Sequence, residues 1–168
     1  MSVPAQQMLQ AVKKVAIKAL AQELLDRVME LPTFKDLGFY AFNELDAARL
    51  TAFQEFPLAV VAYAGMTVLD RSPDANPSCG RRGTDTDMVF DLLLGQEYQS
   101  IDDENTLPSA VDLLDAVRWH LLGYKGVHTR TWRLAGETPI AGESEGVVWY
   151  GQQWVTRVTH VGDFVNHQ

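Results

Sequence analysis

The sequence predicts an α+β fold, a single domain in which two amphipathic helices cover one face of a mostly antiparallel or mixed sheet. Three observations point there. Two segments repeat apolar residues every three or four positions, which is the helical period. Between and after them come a nearly unbroken apolar run and a stretch that alternates apolar with polar residues, both marks of strands. The order is helix, strands, helix, strands, with connections that permit neighbouring antiparallel strands. The 168 residues suit one domain and are tight for two, so residues 1–168 form one unit in this reading. A chain of this length buries roughly 70% of its unfolded surface, enough for a core without metal or disulfide staples.

Residues 5–29 read as the first helix. Leu9, Val12, Ala16, Leu20 and Leu24 line one face, Lys13, Lys14, Glu23 and Arg27 point largely elsewhere, and Pro32 ends it. "LGFYAFNEL" reads as a short aromatic strand. "FPLAVVAYAGMTVLD", with Val60, Val61 and Tyr63, reads as a strand buried on both faces or central in the sheet. "RSPDANPSCGRRG", residues 71–83, is dense in turn formers and reads as a loop. Thr86, Met88, Phe90, Leu92 and Leu94 then alternate with Asp85, Asp87 and Asp91, so this loop joins two strands in a long antiparallel hairpin.

After a second loop, "SIDDENTLP", Asn105 or Thr106 is the expected cap of the second helix, with Pro108 in its first turn. That helix runs to about Leu122 and stops at Gly123, a favourable residue just past a helix end. Ala110, Leu114, Val117 and Leu121 step along its inner face, while Asp112, Asp115, Arg118 and Trp119 form the solvated one, where Asp115 and Arg118 can pair. Residues 129–134 read as a strand, 137–145 as a turn-rich connection, and 147–160 as a closing strand with a bulge at Gly151. Residues 161–168 read as a loose or docking tail.

Composition narrows the chemistry. Acids outnumber bases by 22 to 14 and net charge is −8, so the average surface should repel nucleic acid. Lys13, Lys14 and Lys18 interrupt the first apolar residues, which argues against a signal peptide, and no stretch is apolar for long enough to span a bilayer. The expectation is a soluble protein without a membrane partner. Cys79 is the single cysteine, which excludes an intramolecular disulfide and suits a reducing compartment. Arg81 and Arg82 would lower its thiol pKa, but a catalytic thiol needs an oriented base and no histidine lies close in sequence. His120, His128, His160 and His167 form neither HExxH nor HxH nor a Cys–His pairing, so no zinc site is expected. "CGRRG" lacks the Lys-Ser/Thr end of a phosphate loop, and a charged loop touching another protein explains it better. Asp102 to Asn105 lack EF-hand spacing and read as a solvated helix entry. No catalytic, cofactor-binding or metal residue is expected.

A family resemblance covers most of the chain, from about Ala5 to Val161. A long first helix precedes "FPLAVVAY", an irregular loop and an alternating strand. Then come "AVDLLDAVRWHLLGY", Trp132, "LAGETPI" and "GVVWYGQQWVTRV". This succession resembles the small tail terminator (tail completion) proteins of Mu-like and other long-tailed bacteriophages, most tellingly in "LLDAVRWHL" and "WYGQQWVTRV". The resemblance implies a homo-hexameric ring on the last ring of the tail tube. Such a ring stops tube and sheath polymerisation and offers a surface to head-completion (connector) proteins. It implies a structural virion protein at the head-proximal end of the tail, made in the host cytoplasm, with no catalytic residues. DNA would pass through the ring without specific binding, which the acidic average charge permits. Arg71, Asp74, Arg81 and Arg82, at the projecting tip of the hairpin, are then the candidate contacts with a neighbouring subunit or the tube. Two alternatives stand beside this: a tail tube subunit or head–tail joining protein of similar fold, and a small hydrolase using Cys79 with a spatially adjacent histidine.

Overall fold

A computed structural model describes residues 17–34, 36–40, 55–69, 81–97, 109–127, 131–140 and 146–163. The first helix, α1, spans Ile17–Met29 and buries Leu20, Ala21, Leu24, Leu25 and Val28, the stripe that its helical period dictates. Residues 5–16 of the expected helix lie outside the described residues. A short aromatic strand, β1 (Asp36–Tyr40), pairs in parallel with β2 (Leu58–Val68). β2 then pairs antiparallel with β3 (Arg81–Glu97), so the expected hairpin partners are neighbours. The last two strands, β4 (Arg133–Ile140) and β5 (Val147–Asp163), complete a five-stranded sheet in the order β1-β2-β3-β5-β4. Four strands are antiparallel and β1 adds a parallel edge, which makes an α+β fold.

Strand parity divides the interior in two. Met88, Phe90, Leu92 and Leu94 share one face of β3 and cluster with Ala59, Val61, Trp154 and Val158 of the adjacent strands. The buried residues of α1 belong to this cluster. So do Leu114, Val117 and Leu121 of the second helix, α2 (Ala110–Leu121), and the fully buried Trp132. Residues of the opposite parity, Leu58, Val60, Leu93 and Trp149, form a smaller cluster with Phe56, Ile140 and Val147. β2 feeds both clusters, which is why its first five residues are all buried and show no alternation. A register shift between Tyr63 and Gly65 ends this apolar half, with Gly65 at a φ of 136°.

Local chemistry departs from expectation at four places. The cap of α2 is Ser109, whose hydroxyl accepts from the Asp112 N–H at 3.2 Å, while the Ser109 N–H donates to the Asp112 carboxylate at 3.1 Å. This reciprocal box outcompetes a longer first turn. Asp112 therefore caps its helix in addition to facing solvent, and Asn105 and Thr106 lie outside the described residues. The other end conforms, with Gly123 at a φ of 77°.

The expected connection over 137–145 begins inside β4, which runs to Ile140. β4 is an edge strand with most side chains exposed, so it needs neither alternation nor a full set of ladder donors and tolerates Pro139. The bulge lies between Leu134 and Gly136 of β4, whereas Gly151 pairs in regular register with Leu93 and Thr138. Its missing side chain serves packing, since a Cβ there would come within 3.2 Å of Ile140 Cδ1. Finally β5 extends to Asp163, so residues 161–163 of the expected tail are paired strand.

Candidate functional site

Two of the four candidate contacts, Arg81 and Arg82, fall among the described residues. Arg81 and Arg82 stand in β3, paired in register with Asp163 and Gly162 of β5, so residues 81–83 belong to a strand and not to the expected loop. Beyond Thr86 and the Leu69 N–H that donates to the Asp85 carbonyl, β3 continues as a two-stranded ribbon with β5 alone among the described residues. Arg71, Asp74 and Cys79 lie outside the described residues, as do His128, His167 and the acids at 102–104. His160 is in β5 opposite Thr84. His120, near the end of α2, places Nε2 3.2 Å from the Glu30 carboxylate without hydrogen-bond geometry. Among the described residues no group of three or more His, Cys, Asp or Glu is arranged to hold a metal ion.

The sheet face opposite the helix-bearing cluster is polar over much of its length. Asp87 accepts from Arg157 Nε at 2.9 Å and from Arg133 Nη2 at 3.2 Å. The Arg157 hydrogen bond above all, with the charges of both arginines, holds the Asp87 carboxyl below the usual carboxylate range against the opposing pull of burial. Asp87 in turn raises the pKa of Arg157. Four register positions further along, past Val89 and Val155, Gln153 Nε2 donates to Asp91 at 3.1 Å.

Beside this pair the same face carries an open trough of about 430 Å³, lined by Asp91, Leu93, Gly136, Thr138, Ile140 and Gln153, with the backbone of Gly151 beneath. The trough exists because two glycines meet there. Gly136, at the bulge, and Gly151 contribute no side chain where β4 and β5 run together. Leu93 and Ile140 supply apolar wall, while Asp91 and Gln153 supply acceptors.

On the other side of the sheet a polar network ties α2 to the edge strand. The buried Gln152 side chain donates to the Leu114 carbonyl at 3.2 Å and to Glu137 at 2.8 Å, and its oxygen accepts from Trp154 Nε1 at 3.1 Å. Arg118 grips Glu137 through both carboxylate oxygens, at 2.9 and 3.0 Å, and also pairs with Asp115. Glu137 first, then Asp115, raises the Arg118 pKa. The Asp115–Arg118 pair expected from spacing is present, but Arg118 also crosses to β4, which spacing could not show. What remains on the outer surface of α2 is apolar in an unusual place. Trp119 is 73% exposed, and Val111 and Leu122, eight residues before it and three after, are also exposed. The sequence carries the signal, a tryptophan on the polar stripe of a helix, where helical period alone assigns it to the solvated face.

No protein-family model matches this chain, and no curated protein matches it.

Proposed function

We propose that this chain is a structural assembly protein of a bacteriophage tail, forming a ring at the head-proximal end that terminates the tube and joins it to head-completion proteins. One observation carries the reading: the stretches with the most telling resemblance, residues 113–121 and 149–158, fold as one interlocked block with Trp132 and β4. Gln152 joins α2, β4 and β5, Trp132 and Trp154 fill the core under α2, and the block turns an exposed tryptophan outward. A buried network of this kind fixes one arrangement of helix and strands, which a subunit repeated around a ring requires. The outward tryptophan suits association, because aromatic residues are enriched in protein interfaces. No described helix is long and apolar enough to cross a membrane, which is compatible with a virion part.

The runner-up within the same class, a tube subunit or head–tail joining protein, differs in how far assembly proceeds. Native mass measurement of the purified protein, alone and with tube protein, separates them. A terminator gives one closed oligomer, hexameric in the expected case, and caps tubes at a finite length. Open-ended stacks from the protein alone would favour the tube subunit, and a strict monomer that leaves tube growth unchanged would sink the reading.

A further inference from the structure

We infer that the outer stripe of α2 is a two-fold contact surface, on which the α2 of a second copy lies antiparallel. The inference goes beyond the ring reading and is separate from it, because an isologous contact joins copies in pairs and does not itself close a ring of like subunits.

α2 carries two stripes. Leu114, Val117 and Leu121 enter the main cluster. A second stripe runs through Val111, Asp115, Arg118 and Leu122, at steps of four, three and four residues. That spacing keeps side chains along the line where one helix meets another. None of the four is buried. Val111 and Leu122 are exposed, and the side chains of Asp115 and Arg118 are 52% and 33% exposed. Trp119, one turn after Asp115, leaves its indole open beside them. Apolar groups at both ends of the stripe and a large aromatic at its flank make a face that gains by losing water.

The order of chemistry along the stripe selects the occupant. From Val111 onward it reads apolar, acid, base, apolar. Turned end for end it reads apolar, base, acid, apolar, which is its own complement at every position. With the two-fold axis between positions 116 and 117, Val111 meets Leu122 of the second copy and Asp115 meets Arg118 of the second copy. Both contacts recur across the axis. A parallel copy would set acid on acid and base on base, an arrangement that like charges penalise. The exposed Asp112 near the helix start and the exposed Lys125 past its end extend the same polarity.

Arg118 is prepared for this role. It already holds Asp115 of its own helix and Glu137 of β4. A guanidinium carries five N–H donors, so these bonds orient the group and leave capacity for a further carboxylate. One helix pair covers less than the roughly 1,200 Å² of a stable interface, so the pair should form only in concentrated solution.

Disulfide trapping tests the register. Val111→Cys and Leu122→Cys, each made with Cys79→Ser, change exposed helix positions, so both proteins should melt near the temperature of the Cys79→Ser parent. Mixed and oxidised, they should give a dimer linked from position 111 to position 122. Either alone should give almost none, because two like positions stand about 16 Å apart along the antiparallel helices at 1.5 Å per residue, beyond the span of a disulfide. Adding Asp115→Arg to both variants should lower the trapped yield at least about 10-fold, since it sets cation against cation. Three results would each overturn the contact: no 111–122 link in the mixture, equal linkage in a single variant, or a yield indifferent to Asp115→Arg. The first leaves the face to a partner other than this chain, and the second means a parallel or random approach. Ring formation by Asp115→Arg protein, read by native mass, judges the ring reading separately.

Discussion

Asp87 sits between two guanidiniums contributed by residues 46 and 70 positions away in sequence. Its folded pKa is depressed, so its contribution to stability is complete above the unfolded value of about 3.9 and disappears as pH falls through the folded value. Replacing it with Asn should cost about 1 kcal/mol at pH 7, the upper range for partly exposed ion pairs. The gap between wild type and Asp87→Asn in urea unfolding should then begin to narrow below about pH 4, where the unfolded carboxyl protonates, and close only as the native one follows at its lower value. A gap that stays constant down to about pH 2 would contradict the ion-pair account. In the sequence Asp87 was legible only as the polar half of an alternation. Its partners were not, because pairing across a sheet follows register and register is a property of the whole fold. Trp119 failed for a different reason: helical periodicity assigns a side to each residue but does not say whether an apolar side chain on the wet side has a use.

α2 was the most legible element, and its energetics divide between face and cap. Leu114 is buried in the main cluster, so Leu114→Ala should cost about 2–5 kcal/mol by thermal or chemical unfolding. Ser109→Ala, which removes the capping hydroxyl, should cost about 1 kcal/mol. Equal losses from the two would mean that the helix is not held by the face described. The cap itself was readable, since Ser109 and Asp112 have the spacing of a capping box, but Asn105, Thr106 and Pro108 offered a competing start. β4 was harder to read. Half of it carries Gly136, Glu137 and Pro139, residues that argue for a turn by local preference, and only its position at the sheet edge makes them acceptable in a strand. The apolar stretches of β2 and β3 were legible because a central strand leaves its burial pattern in the order of its residues, whereas residues 81–83 of β3, read as loop, were not.

At the scale of the whole molecule, net charge is the strongest global property, and it bears on nucleic acid. With 22 acids against 14 bases, the protein should give no measurable shift of duplex DNA at physiological salt. A tight complex that weakens steeply with salt would defeat the claim and with it the idea of DNA passing unheld through a ring. Fold class was legible in the alternation of helix and strand patterns, whereas the proposed partners rest on resemblance alone, since no residue chemistry encodes a tube or a connector. The topology also sets an order of events during synthesis. β3 lies in the middle of the sheet, yet one of its two neighbours is β5, which follows it by about fifty residues or more along its entire length. Pairings this distant in sequence are slow to form because loop closure must precede the reward of contact. A nascent chain that has emerged only as far as α2 therefore carries β3 with one edge open and Phe90 and Leu92 without the covering of Trp154. Chains released early at that point would be prone to join edge to edge, so the arrival of β5 is also what keeps the half-made sheet from sticking to its copies before it is complete.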